Sequence, residues 1–592
     1  MRPGFSFVRR IYGMMLPASA LTALGFGAGA GLSALGSIMT SGFFDSLPGT
    51  TQLPVRYAIA FLVANMASML TEYAWLYGIT LMDRFSTTLL RVNMLRGIYR
   101  LPGALPLSVT PGEAITRFRD DVQESCFQMN RFVLSLIHLG TALGMFSYLF
   151  TVQPLLAAIG CATVAVIFLV MRRIQQKIVV YRDQVMERTE AVTGYLGEIF
   201  GAVGVLQVAG AVPDALRRFR EINRDREEVA LRERLQWGLL RAIAENGFYL
   251  GLGLVILAAA PMLARGEFTP GKFALFQLLL QQIGWRLWGI SESVAQFQAM
   301  GVYQGRMAEL AGGDEPLVTR VPLHFSEELE PDPAPQRPPA DRLQVLQADG
   351  LTYHHADSGR GIESVSFTIP RGSFTVITGK IGAGKTTLVR ALLGLLPVES
   401  GEVRWNGRPV TEPMAFFTPP RIAYTPQVPK IFSGTVRGNI LMGLDPAAVD
   451  IDAAIQAAIL EPDLAQFPDG LETEVGSRGL KLSGGQVQRT SAARMFARRP
   501  ELLVLDDISS ALDNETEAQL WSRLFAHEGA TVLCVSNRRA ALQQADQILL
   551  LDEGRLVAAG SLAELLQRSP AMAELWAAVA PEAAASPASL VG

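Results

Sequence analysis

Long apolar stretches, separated by polar and basic segments, fill roughly the first 300 residues of the chain, whereas short apolar runs alternate with polar turns after that. About twenty consecutive apolar residues are enough for a helix to cross a bilayer. The pattern predicts six membrane-spanning helices, at about residues 13–39, 57–82, 132–152, 154–171, 239–263 and 273–296. The sixth is the least apolar, because it contains Gln277, Gln281, Gln282, Arg286 and Glu292.

The first apolar run has one alternative interpretation, a cleaved signal peptide. It fits that interpretation poorly, because the run is longer than the apolar region of a signal peptide and further spans follow it. We therefore expect the first run to stay in the protein as a membrane helix.

The positions of basic residues predict the orientation in the membrane. Arginines precede the first span, and more of them fill residues 83–131 and 172–237. Since cytoplasmic segments are enriched in Lys and Arg, both termini and these two segments are predicted to lie in the cytosol of a multi-pass protein of the cytoplasmic (inner) membrane. Pro and Gly interrupt the two segments at residues 101–112 and 210–214, and we expect these turns to dock toward the C-terminal domain.

Composition separates the chain into a transmembrane domain, a linker and a globular domain. Residues 313–342 are polar and Pro-rich, which suits an extended linker. This places the transmembrane domain at residues 1–312 and a second domain at residues 343–592. The net charge of −3 gives no indication of a nucleic-acid partner. The cysteines are too few and too scattered for a disulfide framework or a metal site, and they lie at Cys126, Cys161 and Cys534.

Several charged or polar residues fall inside the predicted spans. Arg241 and Glu245 are spaced i, i+4 and are expected to pair on one helix face. Glu72 and Arg286 have no such neighbour, and charges within a membrane usually face a cavity or each other. We interpret these two as candidates for lining a cavity, and His138 as a helix-packing residue.

The strongest chemical signal is a glycine-rich loop between a β-rich run and a helical one. Such a loop turns backbone N–H groups toward phosphate oxygens. Lys385 would place its ammonium near the β- and γ-phosphates, and the Thr386 hydroxyl would reach Mg²⁺. The predicted phosphate-binding residues are Gly379, Gly382, Ala383, Gly384, Lys385, Thr386 and Thr387.

Further motifs follow downstream of the loop in a fixed order. The strand 502–505 ends at Asp506, the carboxylate needed to hold Mg²⁺ beside a P-loop. Gln427 follows another strand and is expected to reach Mg²⁺ or the attacking water. The stretch from Leu482 opens a helix whose N-terminus is an anion site, formed by Ser483, Gly484, Gly485 and Gln486. Upstream of the loop, the Tyr353 ring is a candidate for stacking on a base.

This ordered set resembles the ATP-binding cassette (ABC) family, and the whole chain is similar to a half-transporter of the exporter type. The resemblance implies ATP and Mg²⁺ as cofactors, adenine stacking by Tyr353, a Q-loop at Gln427 and a D-loop at residues 510–513. It also implies a second half-transporter chain, because in this family the P-loop of one chain faces the Leu482–Gln486 signature of the other across ATP. The expected fold is a six-helix membrane domain with long cytosolic extensions, followed by an α/β P-loop domain.

Three positions depart from the family pattern. Asp507 stands in place of the usual catalytic Glu, Asn537 in place of the switch-loop His, and Ser477 where exporters commonly have Glu. A shortened carboxylate is withdrawn by roughly one C–C bond, and a 1 Å misplacement can cost about 10²-fold in rate. We therefore expect the site formed around Lys385, with Asp507, Gln427 and Asn537 as its catalytic residues, to hydrolyse ATP slowly.

In this chain the ATP site around Lys385 is altered, whereas the Leu482–Gln486 signature is intact. That combination resembles one subunit of a heterodimeric ABC exporter. Alternatives are a fully active homodimer that uses Asp507, and an exporter-shaped importer or regulator. A soluble ABC ATPase acting on nucleic acid has no use for membrane spans and is excluded. A lipid, a peptide and an amphipathic drug are all compatible as the transported substrate.

Overall fold

The computed structural model describes residues 3–47, 54–319, 342–476, 482–508, 514–526 and 530–578. The chain divides into two compact units. Residues 1–98 and 107–323 form the first unit, and residues 99–106 and 324–592 form the second. The predicted linker 313–342 falls mostly outside the described residues, as do Ser477 and the predicted D-loop at residues 510–513.

Helices make up the first unit. Proline at the first position begins several of them, where its missing N–H costs nothing. The helices are α1 (Pro3–Met14), α2 (Leu16–Ser46), α3 (Val55–Arg100), α4 (Pro111–Thr116), α5 (Val122–Val152), α6 (Pro154–Gly201), α7 (Val203–Val208), α8 (Val212–Ala264), α9 (Pro270–Ala311) and α10 (Asp314–Leu317), with a π-helical turn at Arg117–Asp121 between α4 and α5.

The predicted spans lie almost wholly within long helices that continue beyond them, and the breaks fall at the expected prolines and glycines. The continuous stretch Pro111–Val152 and the helices α2, α3, α6 and α8 are long and apolar enough to cross a membrane. Among the described residues, α9 forms a long helix but does not meet that criterion. Its glutamines and Arg286 explain why, since they lower the hydropathy of its central turns.

Small residues let α2 and α3 approach closely. A Cβ added at Gly25 would lie 2.8 Å from the Trp75 backbone nitrogen, and one at Gly78 would lie 2.7 Å from the Thr22 hydroxyl. Close backbone approach at small residues is a usual way for helices to pack within a membrane. These glycines therefore fix the α2–α3 contact, and any larger side chain would separate the two helices.

The second unit contains an antiparallel sheet and a mostly parallel one. The four-stranded sheet has the order β2-β1-β4-β5, and the six-stranded sheet has the order β10-β9-β3-β8-β7-β6. The strands are β1 (Val345–His354), β2 (Gly361–Pro370), β3 (Phe374–Gly379), β4 (Ser400–Trp405), β5 (Arg408–Pro409), β6 (Ile422–Thr425), β7 (Leu502–Asp506), β8 (Thr531–Val535), β9 (Gln547–Asp552) and β10 (Arg555–Gly560).

Strand pairing explains which residues are buried. The neighbours β9, β3, β8, β7 and β6 are parallel, and only β10 is antiparallel. Every residue of β3, β7 and β8 is buried, as expected for parallel strands covered on both faces. The helices of this unit are α11 (Lys385–Leu392), α12 (Pro413–Phe416), α13 (Val436–Leu441), α14 (Ile451–Ala457), α15 (Glu461–Leu464), α16 (Gly484–Phe496), α17 (Asn514–Ala526), α18 (Arg539–Gln544), α19 (Leu562–Arg568) and α20 (Pro570–Ala578).

The turn that follows α3 belongs to the second unit. Residues 99–106 group with it, and the Ala104 N–H donates to the Leu395 carbonyl oxygen over 3.0 Å. Gly103 lies beside Leu395 as well. This turn is the first of the two that the sequence predicts to dock.

Candidate functional site

A cavity of about 780 Å³ lies at the carboxyl ends of the parallel strands in the second unit. In an open parallel sheet, the loops that follow the strands meet at one edge, and ligands bind there. The loops after β3, β6, β7 and β8 all contribute to this cavity. It is lined by His355, Ser358, Arg360, Gly361, Ile381, Gly382, Ala383, Gly384, Lys385, Thr386, Thr387, Gln427, Asp506, Asp507, Val535, Ser536, Asn537 and Arg538.

The glycine-rich loop joins β3 directly to α11. Gly379 has φ of 147° and Gly384 has φ of 94°, both in the region that favours glycine. A Cβ at Gly379 would also lie 2.1 Å from the Leu551 carbonyl oxygen. Substituting Gly379 would therefore push β3 away from β9 and distort the loop, so its glycine is required on two independent grounds.

Lys385 begins α11, and its ammonium bridges the loop. Its Nζ donates to the carbonyl oxygens of Gly379 over 2.7 Å and Lys380 over 2.9 Å. Burial lowers the pKa of Lys385, and the nearby Asp507 and Asp506 oppose that shift. A phosphate in the cavity would give this half-buried ammonium a strong acceptor, which favours the charged form.

The predicted magnesium ligands lie together. The Thr386 hydroxyl donates to Asp506 Oδ1 over 3.1 Å, and the Tyr424 hydroxyl donates to Asp506 Oδ2 over 3.3 Å. Asp506 is 1% exposed, and burial raises the pKa of its carboxyl while the Thr386 hydrogen bond opposes the shift. Mg²⁺ prefers oxygen ligands and completes its shell with phosphate and water. Thr386, Asp506 and Gln427 fit that ion, which would neutralise the charge on the transferred phosphate.

Asp507 and Asn537 line the same cavity as the glycine-rich loop. Gln427 Nε2 donates to Asp507 Oδ2 over 3.2 Å. Burial raises the pKa of the Asp507 carboxyl, and the Gln427 hydrogen bond and the Arg538 charge oppose this rise. The Thr378 hydroxyl donates to Asn537 Oδ1 over 2.9 Å, so a residue of β3 fixes the amide. The structure thus brings together Lys385, Gln427, Asp506, Asp507 and Asn537 as predicted.

The prediction that Tyr353 stacks on a base is wrong for this structure. Tyr353 is 7% exposed and packs into the core, because inward-facing positions alternate along the end of β1. It does not line the described cavity. His355, two residues later and beyond the end of β1, lines the cavity, with its Nε2 3.4 Å from the Thr387 hydroxyl. The Tyr353 ring packs edge-on against His355, at a centroid distance of 5.0 Å.

The signature stretch lies outside this cavity. Ser483 caps α16 with a complete capping box, in which its Oγ accepts from the Gln486 N–H and Gln486 Oε1 accepts from the Ser483 N–H over 2.9 Å. Ser483 and Gly484 are exposed, and none of the four signature residues from Ser483 to Gln486 lines the described cavity. An anion held at this helix N-terminus would therefore lie outside the described cavity around Lys385.

Sequence reasoning missed several residues that line the cavity, among them three with polar or charged side chains: His355, Arg360 and Arg538. His355 was overlooked because Tyr353 was chosen instead. Buried positions alternate along the end of β1, so counting two residues on from the buried Leu351 would have placed Tyr353 in the core. Arg538, which follows Asn537 directly, lines the cavity and lies 3.5 Å from Glu517. Arg360 also lines the cavity, but no motif in the sequence marks it.

Both units match known protein families. Residues 362–510 match the family profile described as ABC transporter, and residues 20–287 match that of the ABC transporter transmembrane region. The chain belongs to the ABC transporters. The predicted fold class, a membrane helical domain followed by an ABC nucleotide-binding domain, is confirmed.

Relatives of this ABC transporter include a probable multidrug resistance ABC transporter ATP-binding/permease protein, YheI, of Bacillus subtilis. It is 28% identical over 531 residues, which is 86% of each chain. The ATP-dependent lipid A-core flippase of Burkholderia pseudomallei is 29% identical over 64% of this chain and 62% of its own. ATP-binding cassette sub-family B member 6 of Mus musculus is 28% identical over 60% of this chain and 42% of its own.

A solved structure of a bacterial Atm1-family ABC exporter with ATP bound has the same fold, with a TM-score of 0.73. It is 22% identical, and the match covers 97% of this transporter and 99% of that chain. As the family match and the relatives show, the nucleotide-binding domain binds ATP, and the transporter is an ATPase whose activity is coupled to transport.

The position of His355 gives a testable prediction. His355→Ala is expected to weaken ATP binding about three- to tenfold, because the imidazole is the aromatic surface that lines the cavity beside Thr387. His355→Phe should retain most of the affinity, since it keeps an aromatic face. Binding of a fluorescent ATP analogue measures both variants.

A matched control is provided by the adjacent histidine. His354 lies beside Glu399, with its Nδ1 3.0 Å from the carboxylate, and does not line the described cavity. His354→Ala should leave ATP affinity unchanged. Loss of affinity in Tyr353→Leu but not in His355→Ala would contradict the assignment of the base contact to His355.

Proposed function

We propose that this transporter is one chain of a dimeric ABC exporter whose own ATP site binds nucleotide and hydrolyses it slowly. The observation that carries the proposal is that Asp507 and Asn537 both line the cavity. Both side chains are hydrogen-bonded, to Gln427 and Thr378 respectively, so their positions are fixed. Neither offers the longer carboxylate or the imidazole that the family uses at these places.

The hydrolytic deficit follows from the reach and chemistry of these two side chains. A carboxylate must orient the attacking water in line with the γ-phosphate. An aspartate holds its oxygens roughly one C–C bond farther back than a glutamate, and small displacements cost about 10²-fold. The Asn537 amide has no proton that titrates near neutral pH and cannot replace an imidazole.

The signature of this chain supports a second, active site elsewhere. Ser483 and its capping box are complete, and α16 presents them away from the chain's own cavity. In the sandwich arrangement of the family, they would contact ATP bound at the P-loop of a second half-transporter. We propose a heterodimer in which that second chain has a Glu and a His at the positions matching Asp507 and Asn537.

Copurification tests the heterodimer. Affinity-tagged protein, isolated from the membranes of its native host, is expected to retain one different half-transporter chain in equimolar amount. A homodimer of this chain with vigorous ATP hydrolysis would refute the heterodimer and would assign the catalytic carboxylate to Asp507 in two equivalent sites.

The proposed orientation places the nucleotide-binding domain in the cytosol, and cysteine labelling measures this. In a background that lacks the three native cysteines, Leu47→Cys should react with an impermeant maleimide in intact cells, and Val208→Cys should not. Val208 is 93% exposed, so burial within its own chain cannot explain protection. Labelling of Val208→Cys in intact cells would invert the orientation.

A further inference from the structure

Inside the first unit, α3, α5 and α9 bring five polar side chains together in an otherwise apolar region. We call these residues, Glu72, Trp75, His138, Gln282 and Arg286, the polar cluster. They lie within the predicted second, third and sixth spans. Polar and ionisable groups at such depth are costly, and as a rule they serve a function.

Aromatic and small residues connect the members of the polar cluster. The ring of Phe26, on α2, lies 5.3 Å from that of Trp75 and 4.7 Å from that of His138, edge-on in both cases. A Cβ added at Gly289 would lie 3.6 Å from His138 Nε2. Gly289 follows Arg286 by about one helical turn on α9, so His138 and Arg286 approach the same point from two helices.

Hydrogen bonds extend the polar cluster toward α2. The Arg286 guanidinium donates through Nη1 to the Gln282 carbonyl oxygen over 2.9 Å, and Gln282 Nε2 donates to the Ser37 hydroxyl over 3.0 Å. On α3, Glu72 lies beside Gly29, where a Cβ would be 3.5 Å from its Cγ. The polar cluster is thus one contiguous region bounded by α2, α3, α5 and α9.

Four of the five side chains contain a buried polar atom without a hydrogen-bond partner among the described residues. These atoms are Trp75 Nε1, His138 Nδ1, Gln282 Oε1 and Arg286 Nε. Buried polar atoms are nearly always paired in native proteins, so a group of unpaired ones indicates water or a ligand. Two of the four, Trp75 Nε1 and Arg286 Nε, can only donate, which favours a ligand that accepts hydrogen bonds.

The charges of the polar cluster do not satisfy each other. Arg286 is attracted by Glu72, but this attraction acts through space and involves no hydrogen bond between the two described side chains. A guanidinium with an unused N–H beside a carboxylate it does not touch can receive a second anionic group. Its flat array of donors matches the oxygens of a carboxylate or a phosphate.

We propose that the polar cluster binds the anionic headgroup, a carboxylate or a phosphate, of an amphipathic substrate. Arg286 and Trp75 act as donors to the headgroup, and Glu72 lowers its affinity so that the substrate can leave. The apolar body lies along exposed apolar side chains of α2 and α3 that are close in sequence to Phe26, Glu72 and Trp75, namely Leu24, Met69, Tyr73 and Leu76. This inference rests on the proposed function, because it names the substrate class of that exporter.

Direct binding tests the polar cluster without requiring ATP hydrolysis. The probe is ³²P-labelled dodecyl phosphate, and its binding to the full-length dimer in phosphatidylcholine nanodiscs is measured by scintillation proximity against empty nanodiscs. Saturable binding is expected. Unlabelled dodecanoate should compete, and dodecanol, which has the same chain without the charge, should not. Glycerol 3-phosphate, which has the charge without the apolar chain, should compete only weakly. Competition as strong as that of dodecanoate would overturn the amphipathic substrate and would leave only an anion site for a soluble ligand.

Variants with opposite expected signs separate binding from misfolding. Arg286→Gln should weaken dodecyl phosphate binding about tenfold or more, because a charge-assisted donor is lost. Arg286→Lys should recover part of the affinity. Glu72→Gln should tighten binding about three- to tenfold, because a neighbouring negative charge is removed, and a misfolded variant would not do so. Arg265→Gln is the matched control, since Arg265 is exposed and paired with Glu267 at 3.3 Å, and it should bind as the wild type does.

The outcomes distinguish this inference from the proposed function. Absence of saturable binding, equal competition by dodecanol, or unchanged affinity in both Arg286→Gln and Glu72→Gln would overturn the anion site. A transporter that binds dodecyl phosphate as described but exports nothing would overturn the exporter and leave the anion site intact.

Discussion

Lys385→Ala is expected to weaken ATP binding at this chain's own site by about 10²-fold. The Lys385 ammonium rests on the carbonyl oxygens of Gly379 and Lys380, within reach of a phosphate that lies in the loop. A charge-assisted hydrogen bond to phosphate is among the stronger interactions a side chain makes, and its loss leaves phosphate charge without a partner. Titration with a fluorescent ATP analogue measures the change.

The control for this prediction is a neighbouring lysine. The Lys380 side chain is exposed and lies 3.3 Å from Glu574, and Lys380→Ala keeps the backbone carbonyl that Lys385 contacts. We expect Lys380→Ala to bind ATP as the wild type does. Unchanged ATP affinity in Lys385→Ala would remove the basis for the P-loop assignment.

Ser483→Ala is expected to lower ATP hydrolysis by the dimer about 10²-fold, although Ser483 lies outside its own chain's cavity. In the proposed sandwich, its hydroxyl and the N-terminus of α16 face the γ-phosphate of the active site in the partner. Removing one preorganised donor to a developing negative charge typically costs 10²- to 10³-fold in rate. The steady-state rate of phosphate release measures the effect.

A second serine supplies the control for the capping contribution. Ser561 caps α19 with the same capping-box chemistry as Ser483, and its hydroxyl accepts from the Glu564 N–H. Ser561→Ala removes a comparable cap at a helix that does not border the described cavity, so its hydrolysis rate should stay close to that of the wild type. Equal losses in the two variants would mean that Ser483 acts through helix stability alone.

The sequence predicted those parts of the site that depend only on the order of strands and motifs along the chain. Asp506 ends a buried strand, and Lys385, Asp507 and Asn537 each follow one. Parallel strands carry their following loops to one edge of a sheet. Knowing the strands was therefore sufficient to place these residues together, without any knowledge of side-chain packing.

For Tyr353 and His355, the order of elements along the chain was not enough to predict which ring lines the cavity. The two differ by two residues, and only the inward alternation of β1, together with its end at His354, decides which ring enters the core. Tyr353 was predicted to stack on a base because it is aromatic and lies near the expected position in the sequence. The structure shows that its direction excludes it from the cavity.

The polar cluster could be predicted only in part. Glu72 and Arg286 stand out in apolar sequence, but His138 reads as a packing residue and Trp75 gives no signal at all. Their association depends on how α3, α5 and α9 pack, which involves residues more than 200 positions apart in the chain. The pattern of apolar and polar residues within a single helix does not indicate which residues of other helices it will contact.

The most direct test of the asymmetric account is the hydrolysis rate of Asp507→Asn in the purified dimer. In the proposed heterodimer Asp507 belongs to the slow site, so we expect a steady-state rate within about threefold of the wild type. Ser483→Ala in the same preparation should lose nearly all activity. A near-complete loss of ATP hydrolysis in Asp507→Asn would contradict the account and would make Asp507 the working catalytic carboxylate.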